Sequence, residues 1–194
     1  KKDYDNLITC DFICKSVNST KVFQKYIEWL ENKYQSKTKK IKAKDKTTGW
    51  HNFSMRVDFE NGKSYVADRW HDPFFLGYLQ TELFTMEACY SCQFRGFPRP
   101  ADITLADFWG IENVDKSMDQ DLGTSLIMIN SEKGKGYYES LGDKIVSKEF
   151  TLKDAEPGNP AIYHDALSDK DEDKRKQFYE DLDKYPFDVI VRFL

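Results

Sequence analysis

The stretch from Asn52 to Phe59 constrains the fold of this chain more than any other. Phe53, Met55, Val57 and Phe59 alternate with Asn52, Ser54, Arg56 and Asp58. A side-chain period of two gives a β-strand one apolar and one polar face. A slip of one residue would turn all four large apolar side chains to water, so the register is firmly specified. Asn61-Gly62 follows, the pair favoured in a type I′ turn, and predicts a hairpin returning through Lys63–Ala67. The sheet around this hairpin is expected to be buried on one side only.

Other elements follow from the same kind of pattern. Leu7 to Cys14 reads as a strand with Ile8, Cys10, Phe12 and Cys14 on one face. Ser19 is placed to cap a helix running to about Tyr34, with Val22, Tyr26, Leu30 and Tyr34, joined by Phe23 and Ile27, as its buried stripe. Between Lys37 and Lys46, Lys40, Lys42, Lys44 and Lys46 alternate with Ile41 and Ala43, as on a strand with one wet face. Such a row either protects an edge strand from pairing or attracts an anionic cofactor. Asp72-Pro73 opens a helix carrying Phe74, Phe75, Tyr78 and Leu79. Two apolar strands are expected over 102–107 and 124–130, a helix from Ser131 to about Leu141, and a strand near 144–150. A charged helix over 169–183 is anchored by Phe178, Tyr179 and Leu182, and Pro186 starts a last apolar helix. The expected class is α/β (α+β): a mixed β-sheet with a β-hairpin, flanked by helices, and a helical tail.

Composition narrows the function. The chain has 194 residues, enough for one domain with a sizeable core and cramped for two. Its 29 basic and 33 acidic side chains give a net charge of −4, a poor match to the basic patches that drive nucleic-acid binding. No apolar run approaches the ~20 residues needed to span a bilayer, and no signal peptide stands at the start. The chain opens on Lys1 without an initiating Met, so it reads as a piece of a longer, cytoplasmic protein.

Four cysteines are too few for a small disulfide scaffold, and their grouping matters more than their number. Cys89-Tyr90-Ser91-Cys92 is a C-x-x-C pair ahead of Gly96, Pro98 and Pro100. Thiolates at that spacing grip one zinc ion or two irons of a cluster. A redox dithiol would instead open a helix after a strand. Cys10 and Cys14 are separated by about 13 Å on a regular strand at ~3.3 Å per residue, too far for one small site. Cys14, at the strand end, is the better ligand, and Cys10 is expected to be a buried small hydrophobe. Of His51, His71 and His164, His71 could complete the set but more simply starts a helix. No Ser/His/Asp set, phosphate-cradling loop or dinucleotide fingerprint is present in the sequence.

Taken together, these segments resemble the C-terminal region of the coenzyme F420 hydrogenase/dehydrogenase beta-subunit family, including its bacterial members. The resemblance is carried by Asp11-Phe12-Ile13-Cys14, by Asp45-Lys46, Gly49-Trp50 and Asn52-Phe53-Ser54, and by Cys89, Cys92, Arg95 and Gly96. It continues from Asp102 to Gly110, through Gly123, Ser125 and Asn130 to Gly134, and into Asn159-Pro160 and Lys174-Arg175…Phe178. Lys15 and Ser16 stand where the family has His-Gly, Asn18 where it has Pro, and Ala106 where it has Gly. Lost glycines remove places of close backbone approach to a cofactor.

The resemblance implies an iron–sulfur flavoprotein in which FAD sits beside a 4Fe-4S cluster. Cys14, Cys89 and Cys92 would be cluster ligands, with a fourth ligand upstream. Lys46, Trp50, Asp102, Thr104, Asp107 and Trp109 would lie near the flavin, although Trp50 and Trp109 serve equally well as core. A redox partner protein or ferredoxin-like domain is implied. The competing readings are a zinc-binding interaction module and a decayed relative that folds without cofactor.

Overall fold

The computed structural model describes residues 4, 6–163 and 171–192. In chain order the elements are β1 (Cys10–Phe12), α1 (Thr20–Tyr34), β2 (Thr38–Asp45), β3 (Ser54–Phe59), β4 (Ser64–Asp68), α2 (Pro73–Gln80), α3 (Glu87–Tyr90) and β5 (Ile103–Asp107). They continue with α4 (Ile111–Val114), β6 (Ser125–Ile129), α5 (Glu132–Ser140), α6 (Leu152–Ala155), α7 (Glu172–Asp181) and α8 (Phe187–Val191), with short 3-10 turns between some of them. The described residues form two compact units. The first is drawn from Lys1–Lys15 and Cys92–Ala166, the second from Ser16–Ser91 and Leu167–Leu194. No described helix is long and apolar enough to cross a membrane.

The second unit is built on the hairpin. Its antiparallel sheet has the order β2-β3-β4, so the alternating strand is central and the lysine strand is an edge. Phe53, Met55, Val57 and Phe59 are all buried, while Arg56 and Asp58 on the other face are partly exposed. The buried face meets a cluster of rings. Tyr34 stacks on Phe59 with centroids 4.5 Å apart, Phe75 meets Phe53 edge-on at 5.1 Å, and Tyr26 contacts Phe74 and Phe187. Helix α1 supplies Val22, Tyr26 and Leu30 at the expected spacing. Ser19 stands at its N-cap but makes no side-chain cap bond; its amide donates instead to the carbonyl of Phe84. Phe178 and Leu182 bury the tail helix α7 and the turn after it.

The hairpin turn differs from the expected type I′. That turn needs positive φ at both central residues. Here Gly62 has φ +82°, while Asn61 does not enter that region. The Asn61 side chain accepts the Lys63 amide and donates to the Tyr34 carbonyl. These bonds hold Asn61 in ordinary backbone space and leave the left-handed position to the glycine.

Asp72 is wholly buried at the start of α2. It accepts the Phe75 amide at 2.8 Å, the Tyr26 hydroxyl at 2.7 Å and the Tyr65 hydroxyl at 2.8 Å. Burial pushes both tyrosine hydroxyls far up, so they stay protonated and donate. Burial also pushes the Asp72 carboxyl up, against the pull of its donors. A buried acceptor supplied with this many donors is satisfied.

In the first unit the sheet order is β1-β5-β6. β1 runs parallel to β5 and β6 antiparallel to it. This sheet is the mixed one, and the hairpin belongs to the other. Phe108, Ile111, Ala155 and Ile162 form a core against which Ile13, Leu126 and Phe150 pack. Ser131 caps α5 by accepting the Gly134 amide at 3.0 Å.

Two expectations fail in this unit. β1 is only three residues long, and its supposedly apolar face points to water: Cys10 is exposed and Phe12 is 67% exposed. The face turned inward is that of Asp11, whose carboxylate is paired with Arg99 at 2.6 Å. A half-buried ion pair has replaced the hydrophobic stripe that a period of two suggested. The segment 144–150 is not a strand. Val146 is 93% exposed, while Phe150 lies edge-on to Phe108 at 5.5 Å.

Candidate functional site

None of the four cysteines is in a disulfide. Cys14, Cys89 and Cys92 are half-buried, and Cys10 is exposed. Cys14 follows β1 in the first unit, which also holds Cys92. Cys89 belongs to the second unit, where α3 is a single helical turn with Cys89 as its third residue.

Local backbone pairing places the Cys89 sulfur. The Ser19 amide donates to Phe84 O at 2.7 Å and the Met86 amide to Val17 O at 2.8 Å, with Asn18 bridged to Thr85 between them. The turn that follows is closed by the Cys89 amide on Met86 O at 3.0 Å. It brings Cys89 Sγ to the Val17 amide, which donates to it at 3.3 Å. An amide aimed at sulfur is one of the levers that tune sulfur-ligated metal sites. Position 89 therefore suits a thiolate ligand. Nothing in the sequence signals this contact, because the donor is backbone. Ser16, between Cys14 and Val17, is buried. Its hydroxyl accepts from Thr85 Oγ1 at 3.1 Å and its carbonyl accepts from Tyr78.

In the first unit the two cysteine-bearing segments are tied together by arginines. Arg95 donates to the carbonyl of Lys15, the residue after Cys14. Arg99 donates to Asp11, to Phe94 O at 2.9 Å and to Gly96 O at 3.4 Å. Neither periodicity nor motif spacing gives Asp11 or Arg99 a role. Their only signal in the sequence is a charge at an inward position of each segment.

The residues expected near a flavin have varied surroundings. Trp50 is buried against Phe53, with the ammonium groups of Lys46 and Lys44 at 4.7 and 5.0 Å from its ring centroid. Lys46 itself is exposed. Asp102 is a structural clamp: one oxygen accepts both the amide and the hydroxyl of Thr9, and the other accepts Ser131 Oγ at 2.6 Å. These donors, Ser131 foremost, hold its carboxyl well below the usual range. Thr104 is wholly buried. Its hydroxyl donates to Asp11 and accepts from Asn130 Nδ2 at 2.9 Å. Asp107 ends β5 opposite Ser125, half-buried. Trp109 is half-buried, and its carbonyl lies where any side chain at Gly158 would fall.

His71 is mostly exposed and bonded through Nδ1 to Asp68, and His164 lies outside the described residues. Among the described residues, neither unit alone gathers three Cys, His, Asp or Glu ligand atoms within 4.8 Å of one another. A cavity of about 280 Å³ in the second unit is lined by Trp29, Lys33, Tyr65, His71, Leu76 and Arg192, among others, and by none of the residues expected at a cofactor.

Residues 1–155 match a family model that describes the C terminus of the beta subunit of coenzyme F420 hydrogenase/dehydrogenase. The chain belongs to that family. Among curated proteins none matches it. A solved structure similar to it is that of the F420-reducing NiFe hydrogenase complex from Methanosarcina barkeri, in a xenon-derivatized form. The identity is 16% and the TM-score 0.43, over 89% of this chain and 50% of that one. The chain thus spans half the length of the hydrogenase chain it matches.

Proposed function

We propose that the chain is the redox domain of an iron–sulfur flavoprotein of the beta-subunit type, passing electrons between a flavin and 4Fe-4S clusters. Family membership over residues 1–155 supports this reading, and Cys14, Cys89 and Cys92 all fall in that stretch. The observation that carries it is the Val17 amide donating to Cys89 Sγ, which suits a ligating sulfur better than a buried structural thiol. When bound, flavin exchanges electrons in pairs or singly and the cluster takes them singly.

The chain's own residues supply position. Cys14, Cys89 and Cys92 furnish thiolates. Val17 hydrogen-bonds one of them. Asp102 locks the N-cap of α5 to Thr9, the residue before β1. Lys46, Trp50, Asp107 and Trp109 are the proposed neighbours of the flavin. Thr104 and Asp102, whose polar atoms are engaged internally, would hold the strand that carries Asp107. The coenzyme proposed from the family description, as electron donor or acceptor, is coenzyme F420, and the partner a ferredoxin-like domain or redox protein.

Anaerobic stopped-flow on the full product of the gene tests this. Adding reduced coenzyme F420 should bleach the flavin band and then the cluster absorbance. In Cys89→Ser the flavin should still bleach while the cluster signal is missing. Flavin and cluster both bound, yet neither reduced, would contradict the assignment.

A further inference from the structure

The first unit holds its two thiol-bearing segments together through a pair of guanidinium groups. The Arg99 side chain is only 3% exposed. Its Nη2 donates to the Asp11 carboxylate at 2.6 Å and to the Phe12 carbonyl at 3.5 Å. Its Nη1 donates to the carbonyls of Phe94 and Gly96. One planar group therefore bonds the strand leading into Cys14 and the loop leaving Cys92. Thr104 Oγ1, bonded to Asp11 and to Asn130, fixes the carboxylate on its far side. Arg95, from the same loop, reaches the Lys15 carbonyl directly beyond Cys14.

A buried arginine is costly to desolvate, and a simple apolar contact would fill the same space. What the fork adds is several bonds in fixed directions, from a group with few internal conformations to lose. Fixed direction is worth most where two ligands must stand ready at a set separation.

We propose that Arg95 and Arg99 are positioning residues for Cys14 and Cys92, setting the spacing of these thiols before any metal binds. The purpose of the arrangement rests on the iron–sulfur reading, but its geometry does not. The test therefore begins without iron. In the 194-residue chain carrying Cys10→Ser and Cys89→Ser, Cys14 and Cys92 are the only thiols. A short bis-maleimide should link them within one chain much faster in buffer than in urea.

Arg95→Gln should slow that reaction about tenfold or more, because small misplacements sharply reduce effective molarity. Arg95→Lys, which keeps a donor, should lie closer to the parent. Circular dichroism and the urea midpoint establish that each variant is folded. Arg99→Gln should act in the same direction. Should it fail to fold, Arg95→Gln decides, since that half-buried side chain makes its bond to a single carbonyl. A folded Arg95→Gln variant that cross-links at the parental rate overturns the proposal. So does a parent that cross-links no faster in buffer than in urea. Loss of cross-linking in a protein that never binds iron would leave the clamp standing and remove the iron–sulfur reading instead.

Discussion

Asp102 accepts three donors from two different segments, the amide and hydroxyl of Thr9 and the hydroxyl of Ser131. These bonds favour the charged form, so the folded pKa lies below that of the unfolded chain. The resulting stability is fully present above the unfolded value of ~3.9 and is lost as pH falls toward the folded one. Urea midpoints between pH 5 and pH 2.5 should therefore fall for the parent and fall less steeply for Asp102→Asn. Equal slopes would show that the three bonds carry no charge-dependent stability. Asp102, Asp11 and Arg99 were the least legible residues in the sequence. Periodicity weighs apolar residues, whereas this part of the first unit is held by charge and hydroxyl groups. The cysteines were legible by spacing, but the amide that faces Cys89 was not, since any residue at position 17 except proline would supply it.

Among elements, β3 and α5 give the sharpest tests. Phe59→Ala or Phe53→Ala removes a buried ring from the central strand and should cost about 3–5 kcal/mol. Asn52→Ala, off the buried face of the strand, should stay within about 0.5 kcal/mol. Chemical denaturation decides the matter, and comparable losses at both positions would mean a sheet covered on both sides. In α5 two glycines separate helix propensity from packing. Nothing lies within 4 Å of a Cβ added at Gly136, so Gly136→Ala should stabilise by about 0.5–1 kcal/mol. A Cβ at Gly134 would come 2.3 Å from the carbonyl oxygen of Asp102, which is backbone and cannot swing away. Gly134→Ala should destabilise by about 1–3 kcal/mol, shown by a fall in Tm. A gain at position 134 would mean that α5 does not lie against the Asp102 carbonyl as described. Strands β3, β4, β5 and β6 and helices α1 and α2 could be read within a residue or two, most plainly α1, which buries Val22, Tyr26 and Leu30 on one face. The strand expected over 144–150 could not, since its short apolar run, Ile145-Val146, pairs with no described strand.

At the scale of the whole molecule, two compact units each carry part of the thiol set. Ser16 is engaged by the Thr85 hydroxyl and, through its carbonyl, by Tyr78. The isolated 194-residue chain should therefore bind FAD weakly and show no turnover with artificial electron acceptors. Tight one-to-one flavin binding in a fluorescence titration would contradict that. The most direct measurement is the iron and zinc content of the anaerobically purified gene product, taken across single cysteine variants. The parent should be brown and carry iron with acid-labile sulfide. Cys89→Ser and Cys92→Ser should lose it, Cys14→Ser should hold it weakly, and Cys10→Ser, whose thiol is exposed, should retain it. A colourless protein with one zinc, or a Cys10→Ser variant as depleted as Cys89→Ser, would contradict the assignment.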